Sequence, residues 1–369
     1  MGRTTATAPV RRGTRARGRA ARPRAAALLT VALSLTVAAC GTQTAAPAPP
    51  TETLAPSIAP AKAPAPAPEV PPTWPLTGVA GEPDPRPALA VKIENTAVAR
   101  PQSGLEQADV VWETVVEFEV SRLIAVYHSQ VPDEVGPIRS VRPMDPTVLA
   151  PTHGLLVYSG GQPGILDLVA RSGLQEVSHD AGAPGLYRIG GRSAPHNVYG
   201  SPATWWGIAE AGRTAPAEQF AFARRPEQAA AVVAGTPASR LAFRLSGQSN
   251  PSWTWDEGRG AWLRYEGSSP ATAATGAQLS AVNVVAVTAP HPNTQFGAQG
   301  GAPVPTYELV GEGDAVVATA GRTVAVRWRK DAEDQPLRLF HADGSEARLA
   351  PGNTWVELVP GGSGSLTVS

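Results

Sequence analysis

The sequence predicts an α/β amino-terminal domain, with a mixed sheet and flanking helices, followed by a smaller mainly-β domain. Two observations support this fold class. Strand-like and helix-like segments alternate between residues 74 and 218, whereas residues 240–369 contain short strand-like segments separated by Gly, Pro and Asn. The chain of 369 residues is long enough for two ordinary domains after a leader and a linker are subtracted.

The chain begins with an arginine-rich segment, an apolar run and a single cysteine. Residues 1–39 contain eight arginines and no acidic residue, and they end in a mostly apolar run over 25–39. At about 1.5 Å per residue this run is short for a membrane span but is typical of an export signal. The small residues Val37, Ala38 and Ala39 precede Cys40, a pattern that resembles the bacterial lipobox, in which the cysteine is diacylated and the chain is cut before it.

We therefore predict a signal peptide over 1–39 and a lipid anchor on Cys40 at the outer face of the bacterial cytoplasmic membrane. The alternative is an ordinary secretory signal with a cysteine there by coincidence. Residues 40–73 are an Ala/Pro/Thr tract, for which we predict a semi-rigid polyproline II tether. Without the leader, 23 basic side chains face 31 acidic ones, a formal charge of −8, which argues against nucleic-acid binding.

The predicted elements of the first domain, residues 74–218, alternate along the chain. They are strands over 88–94, 110–116, 121–128 and 154–158, and helices over 103–109 (capped by Ser103), 144–150, 163–171 and 202–211.

An Ala-rich stretch over 219–239 predicts a helix and linker between the domains. The predicted strands of the second domain, residues 240–369, lie at 240–245, 252–255, 261–265, 282–287, 306–310, 315–319, 323–328 and 354–359. Tight turns such as Asp256-Glu257-Gly258 join them.

Arginines in Gly/Pro-rich connections suggest an anion-binding site. Arginine forks pair bidentately with carboxylates and phosphates, and backbone N–H groups near a helix start receive anions. The candidates in the first domain are Arg100, Arg139, Arg142, Arg188, Arg192, Gly160 and Gly161. The alternative is that these arginines pair with internal acids and brace irregular loops.

Acid/base chemistry is a second possibility for the same region. The candidate groups are Glu113, Glu117, Asp145 and His196. A histidine such as His196 is more often a loop residue whose hydrogen bonds are satisfied. The six histidines lack metal-ligand spacing and no short catalytic signature is present, so we predict no metal and no cofactor.

Several segments resemble the YerB-like family of bacterial lipoproteins. The similar segments are 75–78, 91–95, 100–105, 107–109, 136–143 (Gly-Pro-Ile-Arg-Ser-Val-Arg-Pro) and 194–197, with looser matches at 283–284, 328–330 and 351–355. The resemblance covers residues 75–360. It implies a lipid anchor and two domains of unknown function, but supplies no reaction and no catalytic residues.

Three hypotheses follow for function. The first is a non-enzymatic, membrane-anchored envelope module that binds an anionic ligand or an envelope protein partner. The second is an enzyme that acts on a cell-wall polymer through carboxylate and histidine acid/base groups. The third is a structural scaffold, which would be favoured if internal acids pair with all the arginines.

Overall fold

The computed structural model describes residues 70–369. The predicted signal peptide, Cys40 and almost all of the predicted tether lie outside these residues. Residues 70–369 lie within one compact unit, which is counted from residue 67. None of the helices over 70–369 is both long and apolar enough to cross a membrane.

The described residues form twenty-one strands and four α-helices. The strands are β1 (Leu89–Glu94), β2 (Val110–Val115), β3 (Ser121–Tyr127), β4 (Leu155–Tyr158), β5 (Gln175–Ser178), β6 (Leu186–Arg188), β7 (Val198–Gly200), β8 (Thr236–Pro237), β9 (Arg240–Arg244), β10 (Pro251–Asp256), β11 (Ala261–Glu266), β12 (Ser269–Pro270), β13 (Ser280–Ala281), β14 (Asn283–Ala289), β15 (Asn293–Gly297), β16 (Pro303–Pro305), β17 (Gly311–Thr319), β18 (Arg322–Lys330), β19 (Arg338–Phe340), β20 (Thr354–Pro360) and β21 (Ser365–Val368). The α-helices are α1 (Met144–Leu149), α2 (Pro163–Ala170), α3 (Pro202–Gly207) and α4 (Ala230–Ala234). Short 3-10 turns span Ala97–Ala99, Leu105–Gln107, Glu117–Glu119, Ala150–Thr152, Pro226–Gln228 and Gln299–Gly301.

A mixed sheet of eleven strands runs through both halves of this part of the chain. Its order is β19-β18-β17-β14-β20-β2-β3-β1-β4-β5, and β8 pairs with β18. Strand β20 lies parallel to both β2 and β14, so it joins the strands of the first half to those of the second. The mixed sheet that the sequence predicts for the first half is therefore present, and it continues into the second half.

Each face of this sheet is covered by a hydrophobic core. In β1, Leu89, Val91 and Ile93 belong to one core, and Ala90 belongs to the other. Side chains that alternate between two cores are expected of a strand that is buried on both faces, because successive residues of a strand point to opposite faces of the sheet. Met144 of α1 and Ile165 and Val169 of α2 pack into the core on the face of Ala90, as expected for flanking helices.

A second, antiparallel sheet covers the opposite face. Its order is β12-β11-β10-β9-β21, with β13 paired to β11. Trp253 and Trp262, on β10 and β11, are fully buried and share a core with Val91 and Ile93. Residues 240–369 contain no α-helix, so the mainly-β character predicted for the second half is present, although its strands are divided between two sheets.

Three predicted elements differ from the structure. The predicted helix at 103–109 is only the 3-10 turn Leu105–Gln107. Its N-cap position is held by Gly104, whose φ is 77° and which has no side chain to cap with, whereas Ser103 lies one residue earlier, where its backbone N–H donates to the carbonyl of Gly136. Residues 306–310 form no strand. The backbone N–H groups of Thr306 and Glu308 donate to the carbonyls of Pro292 and Pro290, and proline has no N–H with which to return a ladder bond. The Tyr307 hydroxyl donates to the carbonyl of Leu358 at 2.9 Å.

The predicted helix within 219–239 is reduced to the five residues of α4. Proline at 226 and 237 and glycine at 235 bound it, and the preceding chain runs beside residue 349 through the bridge Phe222↔Leu349. The predicted domain boundaries at 39, 73, 218 and 239 stay predictions.

Candidate functional site: an arginine-lined cleft

A cleft of about 450 Å³ opens on the face of the main sheet that α1 and α2 cover. Glu94 lies at the end of β1, Glu117 in the β2–β3 turn and Arg122 near the start of β3. Loops contribute the other charged groups. We call this site the arginine cleft; its principal residues are Glu94, Glu117, Arg122, Arg139, Arg142 and His196.

Strand alternation explains why charged side chains occur at the ends of buried strands. Lys92 and Glu94 follow Ala90 at intervals of two, so they lie on the face that bears α1. Arg122 precedes Ile124 and Val126 on the same face by the same rule. A cluster of charged side chains therefore lies next to the hydrophobic core, at one end of the adjacent strands β2, β3 and β1.

Two arginines hold the Glu117 carboxylate. Arg142 donates from Nε to Oε2 at 2.6 Å and from a terminal nitrogen to Oε1, and Arg122 Nη2 is 3.3 Å from Oε1. Burial alone would raise the pKa of Glu117, but the hydrogen bond from Arg142 and the two positive charges outweigh it and lower the pKa to about 2. Glu117 is thus a fixed anion at neutral pH.

A buried ion pair supports the base of the cluster. Lys92 Nζ lies 2.6 Å from Asp145 Oδ1, and both side chains are fully buried. Burial lowers the pKa of Lys92 to about 8, although Asp145 opposes the shift. Asp145 Oδ2 accepts the backbone N–H of Arg142 at 2.8 Å, so this pair positions the residue that holds Glu117.

Glu94 organises the other side of the cleft. Both of its carboxylate oxygens lie 2.9 Å from His196 Nδ1, and Thr96 Oγ1 donates to Oε1 at 2.8 Å. The Glu94 side chain is buried, whereas 29% of the His196 side chain is exposed. A carboxylate at Nδ1 fixes the ring and leaves Nε2 free to exchange a proton with a bound molecule.

Arg139 differs from its two neighbouring arginines. Its Nε lies 3.5 Å from Glu94 Oε2 without hydrogen-bond geometry, and its side chain donates no hydrogen bond to any residue of 70–369. The Arg139 side chain lines the cleft and is 20% exposed. Arg139 therefore has donors available for a molecule in the cleft.

Only part of the predicted anion-binding set lies in the cleft. Arg139, Arg142 and Gly161 line it, and Gly160, the neighbour of Gly161, accepts the Val141 N–H through its carbonyl. The other three predicted arginines lie outside the cleft lining and have protein partners of their own. Arg100 pairs with Glu266 at 3.2 Å, Arg188 donates to Asn197 Oδ1 at 2.7 Å, and Arg192 donates to the carbonyls of Val98 and Pro101.

The four predicted acid/base groups are also divided. His196 and Glu117 line the cleft, and Asp145 is buried beneath it in the pair with Lys92. Glu113 lies on the other face of the sheet, where Arg264 Nη2 contacts its Oε2 at 2.6 Å. Glu113 and Asp145 are fully buried and bonded, so they have no access to a substrate.

Several residues that line the cleft were not predicted from the sequence, among them Glu94, Thr96, Phe118, Arg122 and Asp180. The alternation of side chains along a strand places Glu94 and Arg122 on the face of the sheet that the helices cover. It does not show that the Glu94 carboxylate contacts His196. Throughout residues 70–369, no cluster of three or more His, Cys, Asp or Glu side chains is placed to hold a metal ion.

Comparisons with known proteins define the class of this protein. Residues 76–215 match the family model described as protein of unknown function (DUF3048) N-terminal domain, and residues 241–356 match the corresponding C-terminal domain. A relative from Bacillus subtilis (strain 168) named "Putative lipoprotein YerB" is 35% identical over 132 residues, which are 34% of this chain and 39% of the relative. That match spans less than half of the relative's length.

The solved structure of the YerB protein from Bacillus subtilis has the same fold. It aligns with a TM-score of 0.66 and 24% identity over 80% of this chain and 99% of the other. The chain belongs to the YerB-like family, whose two domains are of unknown function.

Proposed function

We propose that this protein is an extracytoplasmic lipoprotein, anchored through Cys40, whose folded part binds an anionic ligand in the arginine cleft without transforming it. The anchor is supported by the lipobox-like sequence before Cys40 and by the lipoprotein name of the relative. The outer face of the cytoplasmic membrane is the location that such an anchor implies.

The binding proposal rests on the guanidinium of Arg139, which forms an ion pair with Glu94 at 3.5 Å but no hydrogen bond to it. Glu117 occupies donors of both Arg122 and Arg142, whereas the donors of Arg139 lack a hydrogen-bonded partner in the described part of the chain. A guanidinium in this position gains a bidentate partner when a carboxylate or phosphate enters.

The charge of the cleft favours a small anion. Its lining contains Arg122, Arg139 and Arg142, together with the carboxylates of Glu94, Glu117 and Asp180. The formal charges balance, so the cleft lacks the positive excess that a polyanion would require. A single carboxylate that pairs with Arg139 fits this balance best.

Thermal unfolding at constant ionic strength tests the proposal. The soluble fragment 67–369, the compact unit, should unfold at a higher temperature in the presence of acetate or glucuronate, with a saturable dependence on concentration. Arg139→Ala should abolish the shift. Arg327→Ala is the control because Arg327 pairs with Asp314 on an exposed surface. Equal shifts in wild type and Arg139→Ala would refute the proposal.

A second candidate function rests on the pairing of Glu94 with His196. An imidazole oriented by a buried carboxylate beside a cleft is an arrangement that general bases adopt. The protein would then be an enzyme that acts on a cell-wall polymer, with His196 as acid/base group and Glu94 as its positioning residue. Release of soluble fragments from purified cell wall by wild type, but not by His196→Ala, would favour this candidate over simple binding.

A further inference from the structure

A second cavity adjoins the arginine cleft across the β2–β3 turn. It has a volume of about 490 Å³, and both cavities are lined by Glu117 and Phe118. Its lining includes Val115, Val116, His291 and three prolines, at 303, 305 and 360. We call it the proline groove.

Phe118 lies between the two cavities with 56% of its surface exposed. The turn is closed by the Val116 N–H, which donates to the Val120 carbonyl at 2.9 Å. At its tip, Phe118 has φ 61° and ψ 20°, and Glu119 has φ 58°. Consecutive left-handed residues are ordinarily Asn and Gly, because a side chain there costs about 1 kcal/mol or more.

This turn therefore combines two unfavourable features. A large apolar ring is exposed, and two residues with side chains take a conformation that Asn or Gly would adopt with less strain. Such strain persists where the surrounding structure imposes it, and it is common at ligand sites. Contact between the Phe118 ring and a bound molecule would account for both features.

We propose that the ligand is a peptide with a free C-terminal carboxylate, bound at Arg139, whose apolar side chains cross Phe118 into the proline groove. This inference rests on the proposed function and deepens it. The balanced charges of the cleft suit one carboxylate, and the valines and prolines of the groove suit aliphatic side chains. A sugar polymer fits less well because Phe118 is the one exposed aromatic ring that the two cavities share.

Three labelled hexapeptides test the proposal by fluorescence anisotropy with fragment 67–369. The first ends in two leucines with a free carboxylate, the second is its C-terminal amide, and the third ends in two serines with a free carboxylate. We expect the leucine acid to bind at least about tenfold tighter than the serine acid, because burying a leucine side chain contributes that much or more. The amide should bind at least about tenfold more weakly than the leucine acid.

Phe118→Asn separates the role of the ring from folding. Asn tolerates the left-handed backbone, so this variant should unfold at the same temperature as wild type or above it. It should nevertheless lose the preference for leucine over serine. Val310→Asn is the matched control, since Val310 is 53% exposed and lines neither cavity, and it should keep the preference.

Two outcomes would overturn the inference while leaving the proposed function intact. One is equal binding of the leucine and serine acids by a protein that still requires Arg139. The other is binding of an acidic hexasaccharide without binding of either peptide acid. Equal binding of the leucine acid and its amide would count against both proposals.

Discussion

Glu113 and Glu357 lie opposite one another on the adjacent parallel strands β2 and β20, and the single guanidinium of Arg264 contacts both. Arg264 Nη2 is 2.6 Å from Glu113 Oε2 and Arg264 Nη1 is 2.8 Å from Glu357 Oε1. Both carboxyl groups are fully buried. Like charges this close raise one pKa of a pair, and here the raised pKa is that of Glu357.

The two carboxyl groups should respond differently to amide substitution. Burial and the charge of Glu113 raise the pKa of Glu357 well above its usual range, whereas Arg264 and neighbouring hydrogen bonds outweigh burial and lower the pKa of Glu113. Glu357→Gln should therefore change the free energy of unfolding by less than about 1 kcal/mol. Glu113→Gln should cost about 3 kcal/mol, because Arg264 loses its fully buried charged partner and retains the partly exposed Glu266 at 2.7 Å.

Urea unfolding at pH 7 measures both values. The pair also predicts a pH dependence, since the folded state retains the proton of Glu357 above pH 4.5, where the unfolded state releases it. This contribution is complete below pH 4.5 and decreases as pH rises toward the folded-state pKa. Equal costs for the two substitutions would contradict the assignment of the proton.

Glu117 should contribute to acid sensitivity. Its pKa of about 2 lies below the ordinary value of 4.5, so its contribution is complete above pH 4.5 and is lost as pH falls toward 2. The lowered pKa corresponds to a contribution of at most about 3 kcal/mol to the free energy of unfolding. The free energy of unfolding should be measured at pH 7 and at pH 3. Its decrease between the two pH values should be smaller in Glu117→Gln than in wild type. An unchanged loss would mean that the two arginines do not stabilise this carboxylate.

Replacing Glu119 by glycine should stabilise the protein. Glu119 is exposed and has φ 58°, and glycine adopts this backbone without steric cost. The free energy of unfolding should rise by about 0.5–1 kcal/mol. Glycine relieves the backbone strain of the folded state, but part of this gain is offset because glycine has more conformational entropy in the unfolded chain. Glu119→Ala is the control, because it removes the carboxylate but keeps Cβ, and chemical unfolding should show no comparable gain for it.

The lipid anchor is testable in cells. Cys40→Ser removes the thiol that would be acylated, so the protein should move from the membrane fraction to the soluble fraction or the medium. Mass spectrometry of the mature amino terminus of the wild type should show an acylated cysteine at position 40. A wild-type amino terminus without an acyl group would contradict the proposed lipid anchor on Cys40.

Local patterns predicted much of the fold because they depend on neighbouring residues. The alternation in β1, the proline that opens α2 at 163 and the turn signals of the second half all correspond to elements of the structure. The strand predicted at 306–310 was wrong because the backbone of this segment lies against Pro290 and Pro292, which have no N–H to complete a ladder, and no local pattern shows which residues it meets.

The site was less predictable than the fold. His196 and Arg142 were identified by residue type and loop position, whereas Glu94 was missed because its partner His196 is 102 residues away. Glu113 was interpreted as a possible acid/base group, yet Arg264, 151 residues away, holds it in the interior. Sequence spacing carries no information about which distant charges share a buried space.

The sequence by itself determined the family and the mixed β-rich character, and it predicts an export signal that ends at Cys40 with a Pro/Ala-rich tether after it, because these depend on composition, motifs and short periods. The tertiary structure alone decided that the two halves share one sheet through β20, and which charged side chains are buried partners and which line the cleft. The physical reason is that burial forces each charge to find a partner, and the strand order of the folded sheet determines which partners are within reach.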